Sequence, residues 1–224
     1  MKTILIAGAN RGIGREFVHQ LGAAGWIVHA TARDDEGCAS LAGACQSVHR
    51  LDVTRDDEIR ALAESLSGVA FDAVLANAGI SGDLPRSVDA IDLEEMIRVF
   101  DTNTFGSLLL MTAMKPHLQA GKGRLALAMS SLMSSISSND FGTQYCYRAS
   151  KTALNATWRS LAEEWRPDGI ACVLLRPGFV KTDMTNHQGM DVETSVAGMV
   201  KVIEGLSPAD SGRIIGYDGR DVPW

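Results

Sequence analysis

A tyrosine and a lysine in the stretch YCYRASK are spaced so that they could act together in acid–base chemistry. Tyr147 lies four residues before Lys151, and the alanine-rich run around them predicts a helix, so both side chains share one helix face. A phenol has an ordinary pKa of about 10, and a neighbouring ammonium lowers that pKa toward neutrality. Tyr145 and Tyr217 have no lysine at this spacing. The pattern therefore makes Tyr147 the candidate proton donor.

A YxxxK pattern by itself is common on protein surfaces, so its meaning depends on the polar residues that accompany it. The serine-rich segment MSSLMSSISS directly follows a predicted strand, and Asn103 lies in NTFG, where two helical stretches meet. A serine hydroxyl at a strand end could hydrogen-bond a substrate carbonyl and polarise it while the tyrosine donates the proton. Together these residues indicate carbonyl chemistry.

A glycine-rich loop near the start of the chain predicts a nucleotide site. The loop AGANRGIGRE has the spacing GxxxGxG and lies between the first predicted strand and an amphipathic helix. Glycines let the backbone approach a pyrophosphate, and the unpaired N–H groups and dipole of the helix N-terminus face the anion. Three glycines also occur in plain tight turns, but the position in a βαβ array favours nucleotide binding. We expect the cofactor to contact Gly8, Asn10, Arg11, Gly12, Ile13 and Gly14.

The end of the second predicted strand indicates which nucleotide is bound. NAD sites usually carry an acidic side chain here, whereas NADP sites carry arginine for the 2′-phosphate. In HATARDDEG, Ala32 takes the acid's place and Arg33 follows it, while a second guanidinium, that of Arg11, lies in the glycine loop. Two guanidiniums that converge on one phosphate favour NADP. A shift of one residue would instead put Asp34 or Asp35 at the selective position, but we favour a helix-start or loop role for both.

Two further strand ends carry residues that suit a cofactor. In LDVT, the Asp52 carboxylate could accept a hydrogen bond from an adenine amino group, and the backbone of Val53 could contact the ring. In ANAG, the residues Asn77, Ala78 and Gly79 leave room beside the nicotinamide ribose. Turn and helix-cap chemistry is the alternative, and for Asp52 in isolation it would be the better one. The order of these segments along the chain favours the cofactor.

These candidate residues need a scaffold that brings several strand ends together, and the hydrophobic pattern predicts one. Short apolar or β-branched runs alternate with segments of helical periodicity, which indicates repeated βαβ units around a parallel sheet. Seven strands are predicted, beginning at Thr3, Trp26, Ser47, Phe71, Arg124, Ile170 and Arg213. Helices are predicted over 13–24, 56–66, 93–103, 104–119, 145–165 and 193–205, the third and fourth either continuous or separated by a restart. No linker divides the chain, so we expect one doubly wound α/β domain over residues 1–224.

Composition excludes several classes of function. The 224 residues carry a formal net charge of -6, and 21% of them are charged, which is typical of a globular protein and not of one that coats nucleic acid. No apolar run reaches the about 18 residues of a membrane span, and MKTILIAGANRGIG lacks a signal-peptide pattern, so we expect a cytoplasmic protein. The four cysteines form no CxxC pair and have no histidine at metal-ligand spacing, so we expect no metal.

In their order along the chain, these motifs resemble those of the short-chain dehydrogenase/reductase family. GxxxGxG, NAG, an asparagine, a serine, YxxxK and the later RPGFVKT cover nearly the whole chain. The resemblance implies a single-domain Rossmann fold, with a seven-stranded parallel sheet between two layers of helices. The ending GYDGRDVPW and the segment YRASKTALN are most similar to the branch of C-factor and sniffer-type carbonyl reductases. Ala7 and Ala76 replace the family's usual threonine and first asparagine, which we expect to affect only contacts between strands.

The resemblance also implies a role for each motif residue. Tyr147 would be the acid in carbonyl reduction and the base in alcohol oxidation, and Lys151 would lower its pKa and hydrogen-bond the nicotinamide ribose. Ser131 would orient the carbonyl, and Asn103 would hold a water in the proton relay. The nicotinamide would be lined by Pro177, Gly178, Val180 and Thr182. Within the family, ARD after the second strand and the arginine of the glycine loop imply NADP(H).

Two alternatives stay open at this level. Ser131 directly follows the strand and matches the family's motif, whereas Ser134 lies nearer to the commonest distance before the tyrosine. Extra loop residues before Tyr147 would explain the difference, and we favour Ser131. The second alternative is a nucleotide-binding signalling or regulatory protein of the same fold with little turnover. The intact set of acid–base residues favours the enzyme.

The expected partner is a small carbonyl or alcohol substrate, and neither nucleic acid nor a membrane is expected. The segment between Val180 and Val192 is short for a family whose substrate loop often contains helices, which indicates an open cleft. The family also implies a homo-oligomer, a dimer or a tetramer. Small residues on the outer face of the predicted helix 145–165 would permit close packing against a second copy.

Overall fold

The computed structural model describes residues 1–82 and 87–224, in which the chain forms one seven-stranded sheet. All seven predicted strands are present. They are β1 Thr3–Ala7, β2 Ile27–Ala32, β3 Ser47–Arg50, β4 Ala73–Ala76, β5 Leu125–Met129, β6 Ala171–Arg176 and β7 Ile214–Gly216. Every residue of β4 and β5 is buried, as expected for central strands that are covered on both faces.

The strand order is β3-β2-β1-β4-β5-β6-β7, and every pairing is parallel. The predicted doubly wound α/β architecture is therefore confirmed. The chain adds β2 and β3 on one side of β1, then returns to add β4 on the other side. At this reversal Ala7 pairs with Ala76, beside the C-terminal ends of both strands. Ligands of open α/β sheets bind in the crevice outside such a reversal point.

Helices connect the strands, and a π-helical segment, Asp101–Gly106, makes the third and fourth predicted helices continuous. The α-helices are α1 Gly12–Ala23, α2 Asp35–Ser40, α3 Asp56–Ser65, α4 Leu93–Phe100, α5 Ser107–Ala120, α6 Tyr145–Glu164 and α7 Val192–Gly205. Periodicity does not reveal α2, because its six residues span fewer than two turns. Asp34 caps this helix by accepting from the Gly37 N–H at 2.8 Å, which confirms its helix-start role. None of the described helices combines the length and apolar character needed to cross a membrane.

Alternate residues of each strand face opposite layers of helices. Ile6 of β1 packs in a core with α1 and α7, whereas its neighbour Leu5 packs in a core with α3, α5 and α6. Trp158 of α6 is fully buried, and its indole N–H donates to the Ala126 carbonyl of β5 at 3.1 Å. Helices therefore cover both faces, as predicted, and α6 is fixed on β5.

Helix α1 packs so closely on the end of β1 that two positions there accept only glycine. A Cβ on Gly14 would lie 2.2 Å from the Gly8 carbonyl oxygen and 2.6 Å from Asn77 Nδ2. Gly8 has a φ of 74°, in the left-handed region, and a Cβ there would lie 2.8 Å from the Cα of Ala78. Gly8 and Gly14 are therefore required here by packing and backbone conformation, independently of any bound phosphate.

Substitution of Gly14 by alanine tests this packing. Gly14→Ala should lower the free energy of unfolding by about 1–3 kcal/mol, because the added methyl forces α1 away from β1. Gly22→Ala is the matched control: it lies in the same helix, nothing lies within 4 Å of an added Cβ, and alanine should raise the free energy of unfolding by about 0.5–1 kcal/mol. Urea unfolding measures both values, and equal effects would contradict the packing argument.

Candidate functional site

The predicted site residues meet at the C-terminal edge of the sheet, on both sides of the reversal between β1 and β4. The glycine loop follows β1, Asn77 follows β4, and Ser131 follows β5. Tyr147 and Lys151 lie in the first two turns of α6. Segments that are far apart in sequence thus contribute to one crevice.

The glycine loop is braced by two polar side chains. Asn77 Nδ2 donates to the Gly8 carbonyl at 2.7 Å, and the Gly8 N–H donates to Thr31 Oγ1 at 3.3 Å. The Ala9 N–H also donates to the Thr31 carbonyl at 2.8 Å. Sequence reasoning assigned Asn77 to the cofactor, with turn or helix-cap chemistry as the alternative, and missed Thr31. A buried threonine within the otherwise apolar part of β2 is the signal that points to it.

The first turn of α1 is open to an anion. Arg11 is the N-cap residue, and its side chain makes no capping hydrogen bond. The first N–H groups and the helix dipole therefore favour a negatively charged group at this end. Thr182 lies opposite, because a Cβ on Gly12 would lie 3.4 Å from Thr182 Cγ2. Asn10 and Ile13 are half-buried, and Ile13 packs against the core of α1 and α7.

The two arginines predicted to converge on a phosphate are placed differently. Arg33 is exposed directly after β2. Arg11 Nη1 instead donates to Asp183 Oδ2 at 2.8 Å. The convergence of Arg11 and Arg33 on one phosphate stays a prediction. Both partners of the Arg11–Asp183 ion pair are largely exposed, so its loss would cost at most about 1 kcal/mol.

Asp52 and Val53 make structural contacts after β3. Asp52 Oδ1 accepts hydrogen bonds from the Thr54 N–H at 3.0 Å and from Thr54 Oγ1 at 2.7 Å. This is the turn role considered as the alternative for Asp52. Val53 is buried, and its carbonyl oxygen lies 2.5 Å from the position of a Cβ on Gly106, at the end of the π-helical segment. The cofactor roles of both residues stay predictions.

Asn103 lies fully buried in the π-helical segment and clamps the chain after β4. Its Oδ1 accepts from the Ile80 N–H at 2.8 Å, and its Nδ2 donates to the Ile80 carbonyl at 2.9 Å and to Ser150 Oγ at 3.0 Å. These bonds occupy most of the hydrogen-bonding capacity of the amide. The Asn103 backbone carbonyl accepts from Ser107 Oγ at 3.2 Å, and the role of Asn103 in a proton relay stays a prediction.

The phenol of Tyr147, the hydroxyl of Ser131 and the ammonium of Lys151 lie together at the end of β5. The Tyr147 phenol faces the Ser131 hydroxyl, which lowers the pKa of the phenol in part. Lys151 Nζ lies 6.0 Å from the centroid of the Tyr147 ring and donates to the Met129 carbonyl at 2.9 Å. Lys151 is only 4% exposed. The arrangement places a proton donor and a second hydrogen-bond donor at one point of the crevice.

Gly79 makes room for two of these polar groups. A Cβ at this position would lie 3.2 Å from Asn103 Oδ1 and 3.5 Å from Lys151 Nζ. A larger side chain would crowd both groups. The small residues after β4 therefore leave space on the side of Lys151 and Asn103.

Burial controls the protonation of this group. It raises the pKa of the Tyr147 phenol, and the hydrogen bond with Ser131 lowers that pKa in part. Burial also lowers the pKa of the Lys151 ammonium from 10.5 to about 8. The lowering of the Tyr147 pKa that we expected from Lys151 is not observed. Loss of water around both groups disfavours both charged forms, and Lys151 is not among the causes that change the pKa of Tyr147.

The structure separates the two candidate serines. The Ser131 hydroxyl faces Tyr147 and influences its pKa, whereas Ser134 is buried and donates to the Ser131 carbonyl at 2.5 Å. Asn155 Nδ2 donates to Ser134 Oγ at 2.8 Å, and Asn155 Oδ1 accepts from Ser130 Oγ at 2.7 Å. The Ser134 hydroxyl thus already has hydrogen-bond partners within the protein and is buried. The geometry favours Ser131 as the serine that meets a substrate.

The segment 177–190 turns back toward the glycine loop after β6. Pro177 begins it, and Gly178 has a φ of 88° and packs against Tyr217, whose Cε1 lies 3.0 Å from the position of a Cβ. Val180 is buried and forms an isolated parallel bridge with Met190. The predicted nicotinamide-lining residues therefore lie in an ordered turn beside the crevice.

The sequence matches the short chain dehydrogenase family over residues 2–193. Among curated proteins, C-signal of Myxococcus xanthus is 40% identical over 167 residues, which cover 74% of this chain and 100% of that protein.

Two solved structures share the fold over essentially the full length. The carbonyl reductase Sniffer of D. melanogaster has a TM-score of 0.91 at 31% identity, with 100% of both chains covered. The NADPH-bound carbonyl reductase from chicken fatty liver has a TM-score of 0.88 at 33% identity, over 100% of this chain and 99% of that one. The similarities to C-signal and Sniffer agree with the predicted branch. On these grounds the chain belongs to the short-chain dehydrogenase family.

Proposed function

We propose that the chain is an NADPH-dependent oxidoreductase that reversibly reduces a ketone or aldehyde to an alcohol, with Tyr147 as the proton donor. The observation that carries this proposal is that the Tyr147 phenol faces the Ser131 hydroxyl beside the buried Lys151. A bound nicotinamide cofactor supplies the hydride in this chemistry. A protein that only bound a nucleotide would have no use for an acid–base group paired with a hydrogen-bond donor.

The residues around the crevice fit a dinucleotide with a 2′-phosphate. The open first turn of α1 suits the pyrophosphate. Ala32 leaves the acid position without a carboxylate, Arg33 is exposed beside it, and the Asp34 carboxylate is engaged by the Gly37 N–H. The chicken carbonyl reductase of the same fold is NADPH-bound. These observations support NADPH over NADH.

The acid–base residues suit carbonyl reduction at neutral pH. Because the pKa of Tyr147 is raised, the phenol keeps its proton and can donate it to the carbonyl oxygen as that oxygen gains charge. The Ser131 hydroxyl would donate a second hydrogen bond to the same oxygen. Lys151, held by the Met129 carbonyl, would stabilise the phenolate that is left. In alcohol oxidation the same groups act in reverse.

The surroundings of the crevice suit an apolar substrate. Large hydrophobic side chains are exposed in the segments that precede α6 and follow β6, namely Leu132, Ile136, Phe141, Phe179 and Met184. Such exposed apolar groups mark binding sites in globular proteins. Lys181 of the same region is paired with Asp191 at 2.8 Å, so its charge is already compensated. We therefore infer that aromatic or aliphatic carbonyls are preferred over those that carry a carboxylate.

The similarity to C-signal favours a second candidate, a nucleotide-binding signalling or regulatory protein with little turnover. The two candidates differ in whether the acid–base group is needed. Full biological function of a Tyr147→Phe variant in cells would support signalling, and loss of that function would support the enzyme.

Tyr147→Phe should reduce carbonyl-dependent NADPH oxidation by at least about 100-fold and leave NADPH affinity nearly unchanged, because only the proton donor is removed. The measurement uses purified protein with a panel of aromatic, aliphatic and carboxylate-bearing carbonyls, followed by NADPH absorbance. Tyr145→Phe removes a hydroxyl from the same helix and should retain turnover. Turnover by Tyr147→Phe at the unaltered rate would overturn the assignment.

Arg33→Ala should weaken NADPH binding by about tenfold to a hundredfold and leave NADH binding nearly unchanged, because only NADPH carries the 2′-phosphate. Titration of cofactor fluorescence measures both affinities. Arg60→Ala, which removes an exposed arginine paired with Asp56 on α3, is the control and should change neither affinity. An unchanged ratio of the two affinities in Arg33→Ala would show that another group selects the cofactor.

A further inference from the structure

One side of α6 holds the turn that carries the serine of the site. Arg148, Thr152 and Asn155 lie at positions i, i+4 and i+7 of this helix and so share a face. We call residues 130–134 the serine turn. Asn155 binds two hydroxyls of the serine turn, and Thr152 Oγ1 donates to the Ser134 carbonyl at 2.9 Å. The proton donor and the serine are thus attached to one helix.

Arg148 joins the serine turn to the chain that enters α6. Its Nη1 donates to the Met133 carbonyl at 3.2 Å, its Nε donates to the Gly142 carbonyl at 3.2 Å, and its Cζ lies 4.7 Å from the centroid of the Phe141 ring. The side chain is only 8% exposed, and Nη2 is buried without a hydrogen-bond partner within residues 1–82 and 87–224. Burial of a guanidinium with an unpaired N–H group is costly, so its contacts with both segments must offset that cost.

The chain that Arg148 holds has an unusual backbone. Gly142, Thr143 and Gln144 have φ values of 65°, 58° and 54°, so three consecutive residues are left-handed. This conformation is unfavourable for a β-branched threonine. Strained conformations of this kind persist where the surrounding contacts hold them, and they are frequent at functional sites. The hydrogen bond from Arg148 to the Gly142 carbonyl is one such contact.

We propose that Arg148 is a positioning residue that keeps the Ser131 hydroxyl beside Tyr147, an inference that rests on the proposed carbonyl reduction. Arg148 directly follows Tyr147 in α6. The helix that carries the proton donor therefore also binds the segment 131–144 near both of its ends, at Met133 and at Gly142. Without the guanidinium, the serine turn stays attached through Thr152 and Asn155 but loses its link to the chain that enters the helix. Ser131 is then less often within hydrogen-bonding distance of the phenol.

Arg148→Met tests the proposal, because it keeps the apolar stem and removes the guanidinium. We expect kcat for carbonyl reduction to fall about 10- to 100-fold while the NADPH dissociation constant is unchanged, since small displacements of a hydrogen-bonding group have effects of this size. Arg148→Lys keeps the positive charge but not the fork of donors, so its kcat should lie between those of the unaltered protein and Arg148→Met.

A double substitution separates positioning from a general structural role. If Arg148 acts through the Ser131 hydroxyl, Arg148→Met should have almost no further effect on kcat in a Ser131→Ala protein. The hydrogen bond with Ser131 lowers the pKa of Tyr147. The alkaline limb of the pH–rate profile should therefore shift upward in Arg148→Met, as in Ser131→Ala.

Arg159→Met is the matched control, because Arg159 lies on the same helix and is exposed and paired with Glu163 at 2.8 Å. It should leave kcat unchanged. An unaltered kcat in Arg148→Met, or a loss that persists in full in the Ser131→Ala protein, would overturn the proposal. If Arg148→Met does not fold, Arg148→Lys serves as the test, and its loss of kcat should likewise disappear in the Ser131→Ala protein. Absence of turnover in the unaltered protein would overturn the proposed function, and this inference with it.

Discussion

The hydrogen bond from the buried Lys151 ammonium to the Met129 carbonyl sets the relation between α6 and the sheet, and the acid–base residues depend on it. Met129 ends β5, and Ser131 follows two residues later. Tyr147 lies one helical turn before Lys151. A displacement of α6 along the strand would therefore separate the phenol from the serine. Trp158 donates its indole N–H to β5 farther along the helix, which provides a second contact that opposes such a displacement.

Loss of water around the acid–base residues has opposite effects on the pKa values of Tyr147 and Lys151. The pKa of Tyr147 is raised and that of Lys151 is lowered to about 8, because burial disfavours the negative phenolate and the positive ammonium alike. The phenol thus holds its proton at neutral pH. Ser131 acts in the other direction, since its hydrogen bond with Tyr147 favours the phenolate. The position of one hydroxyl therefore influences how readily the proton is released.

The end of β4 connects the nucleotide side of the crevice with the acid–base side. Asn77 braces the Gly8 carbonyl, and Gly79, two residues later, leaves space for Asn103 and Lys151. To brace the glycine loop and to leave space beside Lys151, β4 must lie between β1 and β5, with its C-terminal end at the same edge as theirs. The parallel order of the sheet meets this requirement, because the C-terminal ends of neighbouring parallel strands lie at one edge.

Features that depend on neighbouring residues could be predicted from the sequence: the strands, the longer helices, the glycine turn before α1 and the i, i+4 spacing of Tyr147 and Lys151. The sequence did not reveal α2, which is too short for a periodic pattern. The remaining contacts join segments that are distant along the chain, so they are visible only in the folded protein. Arg11 meets Asp183 across 172 positions, and Ser134, not Ser131, meets Asn155. The raised pKa of Tyr147 also depends on the tertiary structure, because segments that are distant in sequence bury the phenol.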